Sequence, residues 1–148
     1  MKIGNGQNFI FTDEGGFAIW LINKTGAPSA KGTLVNTEAS IDNAVAVTQA
    51  NEPDIIGVIY NDGVPDGEKV LVVILGVAEV LLEDTTTSTR GYWAAISTTQ
   101  NGRADITLAV PPGGGIPQAD RHFQEIGHSL ESKPAGTDVL SKIILHFN

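Results

Sequence analysis

The stretch that decides the fold is residues 55–82, which read IIGVIYNDGVPDGEKVLVVILGVAEVLL. Residues 69–82 are almost wholly apolar and rich in Val and Ile, a pattern typical of a strand that is buried on both faces. A helix of that length would not normally carry so many β-branched residues, nor Gly76 in its middle. Residues 61–67, NDGVPDG, hold two Asx-Gly pairs around a proline, which is strong turn chemistry. The stretch therefore predicts a β-hairpin, with Gly76 as a bulge or as the corner where the second strand passes from one sheet to another.

Composition indicates a single folded domain and excludes several classes of partner. The chain has 148 residues, of which 41% are hydrophobic and 18% charged, and its 17 glycines favour many turns and short strands. The net charge of -8, without a basic cluster, argues against nucleic acid and against an anionic membrane surface. The absence of cysteine excludes disulfides and thiolate metal sites. No apolar stretch reaches transmembrane length, and the N-terminus lacks a secretory pattern.

The rest of the chain predicts an all-β domain over residues 17–148: a small β-barrel, β-tulip or sandwich of short antiparallel strands with little helix. Polar residues 83–90 and the Pro/Gly-rich residues 111–117 are predicted as surface loops within this domain, with a short helical turn at 119–124. Residues 1–16 are rich in Gly and Asn, with Phe9 to Phe11 as their apolar group, and predict either an arm that docks on a neighbour or a frayed end. The further strands are predicted at 16–22, 31–35, 44–48, 91–97, 103–110, 125–131 and 138–147.

Two parts of the sequence predict similar hairpins. Ile56 and Gly57 correspond to Ile126 and Gly127, and residues 67–75 correspond to residues 136–144, so that Ile-Gly, turn, Gly-x-x-Val-Leu-x-x-Ile occurs twice. In both copies the glycine would keep the first strand clear for a close neighbour. The two hairpins are predicted to be partners across one barrel, although short hairpins also resemble one another by chance.

The sequence contains no recognisable set of catalytic residues, so the protein is predicted not to be an enzyme. His128 and His146 lie near the start and the end of the predicted last hairpin, so they are expected to approach each other. A metal site would need a third ligand, and neither His-x-His nor His-Glu-x-x-His spacing is present. We therefore predict packing or inter-subunit hydrogen bonding for these histidines, with no metal and no cofactor. Glu79, alone among apolar neighbours, is expected to point outward or to pair with a lysine, the alternative being a perturbed acid.

Aromatic side chains supply the remaining candidates for a binding surface. Trp20, Tyr92 and Trp93 are predicted to pack in the core or an interface, and the alternative is a sugar-stacking patch. The residues predicted to form an interface or binding surface are Phe9, Phe11, Trp20, Tyr92, Trp93, His128 and His146.

The sequence resembles the small β-domain of tailed-phage virion proteins in three stretches. These are residues 23–35 (NKTGAPSAKGTLV), residues 56–60 (IGVIY) and residues 67–80, which end in GVAEV. Residues 121–128 and 144–148 are similar to the endings of phage structural proteins. The families are capsid decoration (cement) proteins and head-fibre or tail-associated modules, and the resemblance covers about residues 17 to 148.

The resemblance implies a non-enzymatic β-domain that binds the outside of an assembled bacteriophage virion. Its expected partners are further copies of itself, with a trimer favoured, and a major capsid or a neck or tail protein. The alternative is a carbohydrate- or receptor-binding module of a phage tail or fibre. Residues 1–16 are short for an arm that laces across a capsid lattice.

Overall fold

The computed structural model describes residues 9–108 and 124–147, and within these ranges the chain forms ten strands and no helix. No helix in the described ranges therefore offers a membrane-crossing segment. The strands are β1 (Phe9–Phe11), β2 (Gly16–Asn23), β3 (Leu34–Thr37), β4 (Ala44–Val47), β5 (Gly57–Ile59), β6 (Lys69–Leu81), β7 (Trp93–Ile96), β8 (Ala104–Thr107), β9 (Glu125–Ser129) and β10 (Leu140–Leu145). The predicted all-β class is confirmed.

Five strands close a first ring in the order β2, β4, β3, β5, β6 and back to β2. All neighbours in this ring are antiparallel except β2 and β4, which are parallel over Ile22 and Asn23 and so depart from the predicted antiparallel arrangement. A closed ring leaves no long edge among its members. Its interior is filled by β-branched side chains, namely Val35, Val45, Ile59, Val70 and Val72.

A second ring grows from the far half of β6 in the order β6, β10, β9, β7, β8. It returns to its start through a parallel bridge between Leu82, just after β6, and Ala104 at the start of β8. The larger hydrophobic core lies here and against the outside of the first ring. Its buried residues include Leu71, Val73, Val80, Leu82, Ile96, Ile126 and Ile143.

Strand β6 belongs to both rings, which explains its apolar sequence. Residues 70–73 are buried on both faces, with Val70 and Val72 in one core and Leu71 and Val73 in the other. Pairing with β2 ends at Gly76, and pairing with β10 begins at that same residue. A register shift opposite Phe17 and Ala18 marks a bulge just before this corner. The predicted burial on both faces is confirmed for residues 70–73 but not for the whole strand, because Leu75 is 60% exposed and buried residues alternate with partly buried ones after Gly76. The predicted corner at Gly76 is confirmed.

The two predicted hairpins are present as β5–β6 and β9–β10, both antiparallel. A Cβ atom at Gly57 would lie 2.4 Å from Val72 Cγ1, and one at Gly127 would lie 1.9 Å from the carbonyl oxygen of Ile144. Both glycines thus permit a close approach, as predicted. The hairpins do not face each other across one barrel, however. Their long strands β6 and β10 are neighbours in the sheet, because the corner at Gly76 carries β6 into the second ring.

One strand boundary and one loop differ from the predictions for identifiable reasons. The strand predicted at 31–35 begins at Leu34, because Gly32 has a φ of +86° and the Lys31 N–H donates to the Asp62 carboxylate instead of to a neighbouring strand. Residues 83–90 do not form a wholly exposed loop, since the Ser88 hydroxyl is buried and lies 2.6 Å from the Ser129 hydroxyl. The predicted loop at 111–117 and most of the turn at 119–124 lie outside the described residues.

Candidate functional site

An exposed aromatic surface forms where β1, β2 and the corner of β6 meet. Phe11 pairs with Phe17, and Phe17 pairs with Leu75, so these side chains share one face of the sheet. Phe9 stacks on Phe17 with ring centroids 5.0 Å apart, and Phe11 meets Phe17 edge-on at 5.6 Å. Phe11 is 75% and Leu75 60% exposed. We call Phe9, Phe11, Phe17 and Leu75 the aromatic surface. Clustered exposed apolar side chains, unlike scattered ones, indicate a protein interface.

The turn between β1 and β2 holds this surface in place. The Thr12 hydroxyl accepts a hydrogen bond of 2.9 Å from the Gly16 N–H, and the Thr12 N–H donates to the Gly16 carbonyl at 2.8 Å. Gly15 supplies the left-handed conformation that the turn requires, with a φ of +95°. Residues 9–16 of the predicted arm are thus part of the sheet of this same chain. Residues 1–8 lie outside the described residues.

A second candidate site gathers around His128 and His146. Their ring centroids are 5.1 Å apart, and the Trp93 indole packs against His128 at 4.0 Å. The Glu125 carboxylate, only 3% exposed, contacts His146 through Oε1 and Nε2 at 3.2 Å. The predicted approach of the two histidines is confirmed, and Trp93 lies in the same cluster. We call Trp93, Glu125, His128 and His146 the histidine cluster.

A bulge in β9 explains why Glu125 joins the histidine cluster. Residues three apart on a regular strand point to opposite faces. Along β7, however, Ala94 pairs with Gly127 and the next residue, Ala95, pairs with Glu125, so Ile126 is an extra residue in β9. The extra residue shifts the alternation of side chains along β9 by one position, so Glu125 and His128 can both reach His146. Sequence reasoning missed Glu125 because strict alternation places it on the other face from His128.

The remaining predicted site residues lie elsewhere. Trp20 is 37% exposed on β2, beside a surface groove that Asn43 and Lys69 also line. Three strands of the sheet, β6, β10 and β9, separate β2 from β7, which carries Trp93 and follows Tyr92. The structure thus does not gather Trp20, Tyr92 and Trp93 into one patch.

Glu79 pairs with a lysine, as one of the two sequence interpretations expected. Lys31 Nζ contacts carboxylate oxygens of both Glu79 and Glu14, and it lies 5.1 Å from the centre of the Tyr60 ring. The hydrogen bond to Glu79 raises the pKa of Lys31 above its usual value despite partial burial. For Glu14, burial raises the pKa, but the hydrogen bond and charge of Lys31 and the hydrogen bonds from the Glu14 backbone and Tyr60 together outweigh burial, so the pKa is lowered. These ion pairs connect Lys31, in the loop after β2, with Glu79 in β6. The carboxylates of Glu79 and Glu14 therefore already have a cationic partner.

The described residues thus define an all-β domain of two rings that share one strand, with an exposed aromatic surface at the corner. No family model matches the sequence, and no curated protein matches it. Among solved structures, the fold is similar to the crystal structure of the N base of head fibre gp8.5 in bacteriophage phi29. The match covers 87% of this chain and 92% of that chain, with a TM-score of 0.54 and 15% sequence identity. The predicted resemblance to phage head-fibre proteins is confirmed at the level of the fold.

Proposed function

We propose that the protein is a non-enzymatic structural component of a bacteriophage virion, either a head-fibre base or a capsid decoration protein. The observation that carries this proposal is the fold similarity to a head-fibre base over 87% of the chain. It agrees with the resemblance of the sequence to virion β-domains. A protein of this kind acts by binding, so it needs an assembly surface rather than an acid–base pair.

The aromatic surface is the proposed contact between copies of the chain. Among residues 9–108 and 124–147, strand β1 stands at the end of the strand order and pairs with β2 alone, so within these ranges its outer edge presents free backbone groups beside Phe9 and Phe11. An apolar face next to an open strand edge fits a subunit interface. Cyclic symmetry is the usual closure for such homo-oligomers, and the family resemblance favours a trimer.

Attachment to the particle is assigned to the part of the N-terminal segment before β1 and to the polar loops, with a major capsid or a neck or tail protein as the partner. A protein that binds only the assembled shell stabilises that shell by mass action. The charge of -8 supports a partner surface with basic groups.

Light scattering behind a sizing column tests the assembly surface. The wild type is expected to elute at three times the chain mass of 15.6 kDa. The double variant Phe11→Ser/Leu75→Ser is expected to elute as a monomer that keeps the wild-type circular dichroism spectrum, because both side chains are exposed within one chain. The control Leu108→Ser/Leu130→Ser likewise removes two exposed apolar side chains, which follow β8 and β9, and should leave the oligomer intact. A wild type that stays monomeric at high micromolar concentration contradicts self-assembly through this surface.

Co-sedimentation with capsids tests attachment separately. Capsids assembled from the major capsid protein of the phage that encodes this chain should carry the protein into the pellet, whereas unassembled capsid protein should not bind it. Protein that remains in the supernatant at saturating capsid concentration contradicts the decoration role.

A further inference from the structure

The histidine cluster contains a complete set of metal-ligand side chains that lies apart from the aromatic surface. One ligand atom from each of Glu125, His128 and His146 lies within 4.8 Å of the other two. Glu125 and His128 belong to β9, and His146 follows β10 directly. The third ligand, which sequence spacing did not predict, is therefore the carboxylate of Glu125, and the bulge in β9 places it beside the histidines.

The spacing suits a small transition-metal ion. Zinc binds histidine nitrogen and carboxylate oxygen at about 2.0–2.2 Å, so two ligand atoms of a tetrahedral site lie about 3.4 Å apart. His146 Nε2 and Glu125 Oε1 are already 3.2 Å apart. The His128 ligand atom lies within 4.8 Å of both, so a small movement of the ring within its packing brings it to tetrahedral spacing.

The surroundings favour metal binding over a surface coincidence. The Glu125 carboxylate is buried, so a cation beside it lies in a medium where water screens the charge poorly. The Trp93 indole packs on the His128 ring and restricts its orientation. The backbone holds the two strands together at this point, since the His146 N–H donates to the carbonyl of Ile126 at 3.0 Å. The His146 side chain is 40% exposed, so an ion can reach the site from solvent.

We propose that Glu125, His128 and His146 bind a divalent transition-metal ion, zinc in preference to magnesium or calcium, because two imidazoles and one carboxylate are the donors zinc uses and hard cations prefer oxygen alone. The ion clips the end of β10 to β9. It stabilises the second ring by mass action, since the three ligands come together only in the folded chain. This site is independent of the virion role and of the aromatic surface.

Thermal unfolding of EDTA-treated full-length protein at pH 7.5, with and without zinc chloride, tests the proposal. Free zinc at about 100 times its dissociation constant should raise the melting temperature by roughly 8 °C for a domain of this size. Magnesium at the same concentration should have no effect. Titration calorimetry should give one zinc per chain, and the tryptophan fluorescence should change in parallel, because Trp93 packs on His128.

Variants locate the site. Glu125→Gln should abolish the zinc-dependent shift, and because Glu125 is buried, His146→Asn provides a second variant at a half-buried position that is expected to fold. Glu68→Gln, an exposed carboxylate before β6, is the matched control and should keep the full shift. A wild type without a zinc-dependent shift, or an equal shift in His146→Asn, overturns the proposal.

Discussion

Replacement of Gly76 by alanine tests the corner that makes one strand serve two rings. Gly76 has a φ of +83°, a conformation that costs an L-residue about 1–2 kcal/mol. A Cβ atom there would also lie 2.5 Å from the carbonyl oxygen of Gly15, which is backbone and cannot rotate away. Relief of this overlap requires β2 and β6 to separate, and overpacking of this kind costs about 1–3 kcal/mol more.

Gly67 is a matched control for the strain alone. Its φ is +90°, but a Cβ atom there would have no neighbour within 4 Å. Gly67→Ala should therefore cost about 1–2 kcal/mol and Gly76→Ala about 2–5 kcal/mol. At roughly 3 °C per kcal/mol for a domain of this length, the melting temperature should fall by about 3–6 °C and 6–15 °C respectively.

Urea unfolding of the two variants and the wild type, followed by circular dichroism, gives the difference directly. The reasoning predicts that Gly76→Ala loses more stability than Gly67→Ala by at least about 1 kcal/mol. Equal losses in the two variants would refute it, because they would mean that β2 does not approach β6 at the corner.

Two further variants probe buried polar contacts. The bond to Glu79 raises the pKa of Lys31, so the stability that Lys31 contributes is present below pH 10.5 and is lost as the pH rises through its folded-state pKa. The pKa of Glu14 is lowered, so the stability that Glu14 contributes is present above pH 4.5 and is lost as the pH falls through its folded-state pKa. The free-energy gap between wild type and Lys31→Met, measured by urea unfolding, should thus be largest between these limits, and a gap that does not vary with pH contradicts the ion-pair account. Ser88→Ala removes a buried hydroxyl that is hydrogen-bonded to two other serine hydroxyls, and should cost about 1–3 kcal/mol in the same assay, whereas the exposed control Thr87→Ala should cost little; equal losses would contradict a buried network.

Much of the architecture is predictable because β6 combines three local signals. Its β-branched residues indicate a strand, its lack of alternation indicates burial on both faces, and Gly76 indicates the corner. The glycines at positions 57 and 127 similarly mark the two close strand crossings. Each of these features depends on a single residue or a short run of residues, so it can be predicted without knowledge of the tertiary contacts.

The parts that escaped prediction depend on contacts between distant segments. The parallel pairing of β2 with β4 leaves no mark in either strand, because it covers only two residues of each, Ile22 and Asn23 against Ala44 and Val45. The burial of Ser88 follows from two partner serines far along the chain. Glu125 enters the histidine cluster only through a one-residue bulge, and the Phe17 and Leu75 members of the aromatic surface meet only through strand register. Such effects are tertiary, and alternation along one strand does not reveal them.

Electron microscopy of purified phage particles, from a phage with the gene and from one in which it is deleted, tests the virion role most directly. The account predicts that wild-type particles carry symmetric projecting density on the head or neck that fits the two-ring domain, and that the deletion removes this density while the particles still assemble. Density that is unchanged by the deletion, with the protein absent from wild-type particles by mass spectrometry, would contradict it.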